Sequence, residues 1–407
     1  MRVWFLNQYT EVASPTSGNR PIMLAHALAD LGHEVLVIAG TFDHLGRVER
    51  YPGRTWTYGR QRLSDRVEVL WVGVPPHIGN DRHRVANMLT FTSRVARLGH
   101  EPRLAPPDVL VGSSPHLLVP LAADRLARVA GVPFVLEIRD IWPASIVDLA
   151  GLSPRHPVVL ALNALERYVC RRADAIVSLL PGGVDHLVGL GVDPARVTWI
   201  PNGVDLGEVP RSDPPADGPL TLMYAGSHGV SDGLGTLVDA ATRLEAGAAK
   251  GRVRWRFVGD GPEKPALRAM VDRAGLRNVA FEERVPKTEI YARLAEADAF
   301  VVNVRDEPIY RFGISFNKFY DYLASGRPTV VGLETPWNPF EESGAGITVR
   351  PDDPAGFSEA VEGLLAMSPD DRRSMGDRGR AFVERSHDIR VLGRAFERVL
   401  DGVVRGR

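Results

Sequence analysis

Cysteine is almost missing from this sequence: Cys170 is the sole one in 407 residues. A lone cysteine closes no intrachain disulfide, which excludes a small secreted domain held together by bridges. It lies in the helical pattern ALERYVCRR, where a small buried apolar side chain is expected rather than a nucleophile. Lysine is scarce as well, with 4 against 45 arginines, a bias that reads as GC-rich coding and not as function. No window approaches the ~18–20 apolar residues of a membrane span. The opening MRVWFLNQYT turns polar too soon for the apolar core of a signal peptide. A cytoplasmic protein is therefore expected, with room for peripheral contact at the inner membrane face. Nor is there an excess of one charge: 49 basic and 50 acidic residues leave a net −1. That excludes a broadly basic nucleic-acid-binding surface and leaves space only for a small basic pocket. The oligomeric state is not legible.

The length suggests two domains at roughly 100–200 residues each. Short apolar runs recur at 2–6, 35–39, 67–71, 109–112, 133–138, 175–179 and 197–200. Several are uninterrupted, as expected of parallel strands covered on both faces. Helical spacing fills Pro21–Leu31, with Pro21 in the first turn and Gly32 at the C-cap. Residues 201–219 hold five prolines and three glycines and read as a linker. The alternation then restarts, with strands at 220–225, 253–258, 278–281, 298–303, 328–332 and 346–349. Helices are expected at 234–245, 262–274, 287–297 and 316–325. Two series of alternating strands and helices imply an α/β protein of two doubly wound, Rossmann-like domains. The expected division is 1–203, a linker at 204–219, 220–380, and a helical tail at 381–407 that packs back on the first domain. Ligands of such sheets bind outside the carboxyl ends of strands, so the site is expected in the loops there and in the cleft between the domains.

Five loops qualify. In 7–21, Gly18 and Asn19 precede a helix N-terminus that favours an anion, and Arg20 adds charge. In EIRDIWP, 137–143, Glu137, Arg139 and Asp140 follow a buried strand. The stretch 224–237 carries glycines at 226, 229, 233 and 235 between a strand and a helix, a pattern open to phosphate cradling or to a plain turn. Asp260-Gly261 in 257–267 marks a tight turn, with Gly259 just before it. In 311–332, Gly313 precedes a helix start and Lys318 falls in the first turn. A cation there opposes the helix dipole. Either a bound phosphate or a salt bridge from Lys318 to Asp321 would account for it.

Taken together, these loops resemble the family 4 glycosyltransferases, in particular the branch of WbuB-like transferases. The matching stretches are SGNRPIMLAHALADLGHEVLVIAG, EIRDIWPASIVDLAG, IPNGVD, YAGSHGVSDGLGTLVDAA, FVGDGPEKPAL, ERVPKTEIY and SFNKFYDYLASGRPTVVG, in family order. The resemblance implies the GT-B fold and a retaining, metal-independent transferase whose co-substrate is a nucleotide sugar, most commonly UDP-linked. No cofactor is expected, and the acceptor would be a glycan, a polyprenyl-linked molecule or a small molecule. It further implies that Asp321 holds the donor ribose, standing where the family has the second Glu of an E-x7-E motif. The first Glu falls at Gly313, leaving the backbone N–H groups of Ile314 and Ser315 for the phosphate. Gly226 and Ser227 line the donor loop, but the family's usual Arg and Lys are absent, with Ser227 and Asp232 in their places. Lys318, Arg20 or Arg139 must then neutralise the diphosphate. Arg139 corresponds to the usual catalytic-loop histidine, Glu137 and Asp140 are candidates for acceptor or sugar hydroxyls, and the Val285 backbone would meet the base.

Breaking an anomeric C–O bond leaves a diphosphate and a cationic sugar, so cations and N–H dipoles at the diphosphate stabilise the transition state. No pair of glycosidase-type carboxylates is expected. Two other readings fit the same loops: a nucleotide-sugar 2-epimerase of the same fold, and a catalytically weak partner subunit.

Overall fold

A computed structural model of the chain describes residues 1–14, 18–43, 48–49, 59–77, 81–100, 104–114, 116–213 and 218–406. Residues 15–17 of the first candidate loop and 214–217 of the expected linker lie outside the described residues. The chain divides into two compact units. The first is Met1–Pro201 together with Ile389–Arg407, and the second is Asn202–Asp388.

The first unit contains β1 (Arg2–Leu6), β2 (Glu34–Gly40), a two-stranded ribbon of β3 (Phe42–Asp43) and β4 (Val48–Glu49), β5 (Gly59–Arg62), β6 (Val67–Val72), β7 (Val109–Ser113), β8 (Phe134–Ile138), β9 (Ala175–Ser178) and β10 (Val197–Trp199). Its eight-stranded sheet runs β10-β9-β8-β7-β1-β2-β6-β5. All pairs are parallel except β5 with β6. The continuous apolar runs form the parallel strands because helices on both faces cover them, so that every residue of β7 and β8 is buried. The sequence GRQR of β5 has no apolar periodicity; it is an edge strand, with Arg60 bonded to Glu68 across the pair. Val3, Phe5, Val35, Val37, Val109 and Val111 join one core with the helix Arg20–Asp30 and the final helix Ile389–Arg405. A Cβ at Gly393 would lie 2.6 Å from the Ala27 Cβ, so the absence of a side chain lets these two helices pack closely.

The second unit contains β11 (Leu220–Ala225), β12 (Val253–Val258), β13 (Val279–Glu282), β14 (Ala299–Asn303), β15 (Thr329–Gly332) and β16 (Gly346–Val349). The sheet is fully parallel in the order β13-β12-β11-β14-β15-β16. Trp255, Phe257, Phe300, Phe319, Tyr322 and Phe340 fill its core, and the Phe300 and Tyr322 rings stack at 4.2 Å.

Two expectations about the divisions change. The second unit does not end at 380: the helix Pro369–Ser386 is uninterrupted there and packs on Asn317–Ala324, so the unit extends to Asp388. The expected linker at 204–219 is partly built structure. Val204 and Val209 are buried in the second core, Val204 N–H donates to the His387 carbonyl at 3.1 Å, and Arg380 Nη1 donates to the Val209 carbonyl at 3.0 Å. Proline restricts this segment without keeping it from docking.

Candidate functional site

In a doubly wound sheet, ligands gather where the strand order reverses. In the second unit that point lies between β11 and β14, so the loops that follow these strands meet there. Gly226, Ser227 and Asp232 follow β11, and Gly313, Ile314, Ser315 and Lys318 follow β14. Lys318 Nζ bonds the Asp232 carboxylate, donates to Tyr224 Oη at 2.9 Å, and lies 4.8 Å from the centre of the Tyr224 ring. A Cβ at Gly226 would stand 3.5 Å from that ammonium and 2.9 Å from the Tyr224 hydroxyl. Any side chain here would press on that hydroxyl, so glycine keeps the place beside the ammonium free of one. Ser227 beside it is exposed, and its carbonyl accepts from Tyr224 Oη at 2.5 Å. Burial lowers the Lys318 pKa while Asp232 opposes the shift, and burial raises Tyr224 well above its ordinary value. The expected alternative, a Lys318–Asp321 salt bridge, is not formed. The lysine reaches across to the β11 loop instead of along its own helix.

Asp321 lies three residues on in the helix Asn317–Ala324. It is half-buried and accepts from the Tyr291 hydroxyl at 2.9 Å on Oδ1. Burial raises its pKa, with Lys287 and the tyrosine hydrogen bond pulling the other way. Ser315 is held by Asn202 of IPNGVD: the Asn202 N–H donates to Ser315 Oγ at 2.9 Å, and its side-chain amide donates to the Ser315 carbonyl. Gly313 takes φ +93 and donates its N–H to the Tyr310 carbonyl, which aims the chain into the helix. Ile314 is buried in the core, and Val285 is half-buried in the segment after β13.

Gly259 and Asp260 brace this site from beneath. Gly259 has φ +142, and a Cβ there would fall 1.9 Å from the Gly226 carbonyl oxygen, a clash no side chain survives. His228 N–H donates to the Asp260 carbonyl at 2.9 Å, and the Asp260 carboxylate accepts from Gly261 N–H at 2.8 Å. The GDGP turn is thus interlocked with the donor-loop candidate. His228 itself is buried, with no hydrogen bond at either ring nitrogen, and burial with Lys264 nearby pulls its pKa down to about 4.

The first unit reverses strand order between β1 and β7. Asn7 Nδ2 donates to Ser113 Oγ at 3.0 Å and to the Ser114 carbonyl at 3.2 Å. His116 Nε2 meets Gln8 Oε1 at 2.6 Å, and Gln8 Nε2 donates to Asn87 Oδ1. Arg20 and Glu137 depart from the sequence reading. Arg20 is 1% exposed and its guanidinium is spent inside the unit: Nε on Glu137 at 2.9 Å, Nη2 on the Ile200 carbonyl at 2.9 Å, and Nη1 on the Pro201 carbonyl. Glu137 is fully buried, its second oxygen taken by Ser113 Oγ at 2.7 Å. Neither can meet a phosphate or a sugar hydroxyl. Gly18 is buried against the Glu11 carbonyl, and the Asn19 N–H donates to that same carbonyl at 3.0 Å, so it pins its own loop. Arg139 stays half-buried, with its N–H on Ser114 Oγ at 2.8 Å, and Asp140 is exposed. The lone cysteine behaves as expected: Cys170 is 1% exposed and burial pushes its thiol up to about 12.

Sequence reasoning missed Tyr224, Tyr291 and Asn202 as parts of the second-unit site. A tyrosine closing the apolar run LTLMYA and another in ERVPKTEIY give no local sign of where their hydroxyls point. Asn202 sat inside a stretch taken for linker.

Two family models match the chain: the glycosyl transferase 4-like domain over residues 18–203 and glycosyl transferases group 1 over residues 219–367. The putative colanic acid biosynthesis glycosyl transferase WcaI of Escherichia coli K12 is 25% identical over 275 residues. That match covers 62% of this chain and 64% of the relative. Sucrose-phosphate synthase from Thermosynechococcus elongatus superposes with a TM-score of 0.77 at 15% identity, covering 100% of both chains. HepE from Anabaena, in complex with UDP-glucose, gives 0.66 at 13% identity over 99% of this chain and 100% of its own. Two Rossmann-like units with these neighbours define the GT-B fold. The chain belongs to the family 4 glycosyltransferases. Among the described residues, no helix is long and apolar enough to cross a membrane.

Proposed function

We propose that this chain moves a sugar, with retention of anomeric configuration and without a metal ion, from a UDP-linked donor to a hydroxyl-bearing glycan, polyprenyl-linked or small-molecule acceptor. The observation that carries the reading is the Lys318 ammonium beside the bare backbone of Gly226, at the strand-order reversal of the second unit. A cation there neutralises the charge that grows on a leaving diphosphate. The anomeric C–O bond breaks with its electron pair going to the diphosphate. The acceptor oxygen bonds the anomeric carbon on the same face, and its proton passes to the leaving phosphate oxygen. Asp321 accepts from the ribose hydroxyls while Tyr291 fixes its orientation. HepE in complex with UDP-glucose supports the choice of UDP. A cytoplasmic setting, with peripheral membrane contact, belongs to this proposal. Neither the epimerase nor the partner-subunit reading is favoured by the families that match.

The test is incubation with a panel of UDP-, GDP- and dTDP-sugars, with EDTA present and absent, following release of the nucleoside diphosphate and the anomeric signals of any glycoside by NMR. UDP release insensitive to EDTA, with a retained anomer, is expected. Interconversion of the free sugar nucleotide, or no release from any donor, would overturn the proposal. UDP at 100 times its dissociation constant should also stabilise the protein by about 2.7 kcal/mol in a melt.

A further inference from the structure

The cation of this site already has an anionic partner, supplied by the chain. Asp232 is 7% exposed, one carboxylate oxygen lies on Lys318 Nζ, and the other accepts the Gly229 N–H at 3.3 Å. An ammonium plus a backbone N–H from a glycine-bearing loop is the donor set that also suits a phosphate oxygen. The carboxylate and a diphosphate would therefore compete for one cation. They cannot both hold it at full strength, because a second anion brought against Asp232 is repelled in a half-buried setting.

We propose that Asp232 is a positioning residue that sets affinity for the nucleoside diphosphate part of donor and product: its carboxylate holds Lys318 in place and must yield that ammonium, in whole or part, when the diphosphate binds. This rests on the donor-site reading above and adds a role to a residue that stands where a cation was expected. The physical consequence is that ground-state binding is held weak. Lys318 is kept aimed at the β11 loop without binding the diphosphate so tightly that the product is slow to leave.

Calorimetric titration with UDP, GDP and dTDP, on wild type, Asp232→Asn, Lys318→Ala and the double variant, tests this. Asp232→Asn keeps the shape and an acceptor for the Gly229 N–H but removes the competing charge. It should tighten UDP by about tenfold, the scale of one charge-assisted contact, and lower the donor KM by a similar factor without raising kcat. In the Lys318→Ala background the same substitution should change affinity less than about threefold. Unchanged or weaker UDP binding in Asp232→Asn overturns the proposal, as does an equal tightening with Lys318 absent. Should Asp232→Asn melt at a lower temperature, Asp232→Ser, which also offers an oxygen to Gly229, carries the same expectation. If wild type binds UDP and neither variant tightens it, this inference alone falls. If no form binds any nucleoside diphosphate, the donor reading falls with it.

Discussion

Each unit reverses its strand order beside its first strand, yet the two reversal points hold different chemistry. In the first unit the point between β1 and β7 is filled by Asn7, Gln8, Ser113, Ser114 and His116, neutral groups that hydrogen-bond one another while buried. The charged pair behind them, Arg20 with Glu137, is turned entirely to the unit's own backbone and side chains. In the second unit the charges stand at the point itself, with Lys318, Asp232 and Asp321 half-buried or nearly buried around the β11 loop. The same topology therefore serves two ends. A hydrogen-bonded neutral network holds the first unit's loops in place, and the second unit's cation is the one proposed above to change partners. Position in the fold marks where to look, and only the state of the hydrogen bonds says whether a charge is structural or available.

Four experiments would break or sharpen that contrast. Glu137→Ala should have the largest effect, about 3–5 kcal/mol of lost stability in denaturant unfolding, because it strands the buried Arg20 guanidinium. A loss below about 1 kcal/mol would mean Arg20 is not structural after all. Lys318→Ala should lower turnover by roughly 10²–10³ and also lower the melting temperature, because it leaves the nearly buried Asp232 without its cation, with Lys318→Arg keeping part of the turnover; near-normal turnover would move the clamp to Arg139. Asp321→Ala should weaken nucleotide binding by about 1.5–3 kcal/mol in calorimetry, and unchanged affinity would remove it from the ribose.

The fourth is acid sensitivity. Burial pulls His116 down to about 3, and His228 and His387 to about 4. The unfolded imidazoles take up protons below about 6.5, while the folded ones stay neutral until near those lower values. Stability is thus intact above pH 6.5 and falls as the pH drops toward 4, by about 1.4 kcal/mol per pH unit for each imidazole. His387 lies among the rings of Tyr320, Trp337 and Phe382. His387→Phe should flatten the second unit's share of this slope in urea titrations across pH 4–7, and an unchanged slope would assign the acid loss elsewhere.

The strands of both sheets were legible because buried parallel strands are runs of apolar residues, and RVWFL and LTLMYA read as such without context. The edge strand GRQR was not, since its outer faces meet solvent and carry no period. The loops proposed to hold the donor were legible as glycine-rich turns after strands. The partners of the charges were not. Lys318 and Asp321 sit three apart on one helix, where local spacing suggests a pair, but Lys318 finds Asp232 and Asp321 finds Tyr291. Arg20 likewise looked available beside a helix start, and nothing local announces that Ile200 and Pro201 will present their carbonyls to it.

The return of the final helix to the first unit has a consequence for the order of assembly. Ile389, Leu392, Phe396 and Leu400 complete a core whose other members, among them Phe5, Ile22 and Leu24, lie near the opposite end of the chain. On a ribosome adding ~5–20 residues per second, the interval between Pro201 and Ile389 is roughly 10–40 s. Throughout that interval the part of Arg20–Asp30 that meets the final helix has no cover, and each large side chain left uncovered forgoes about 1.5–3 kcal/mol. The second unit is one unbroken stretch, Asn202–Asp388, and needs nothing made after it. The half of the molecule that is synthesised later is therefore the half that can finish folding first.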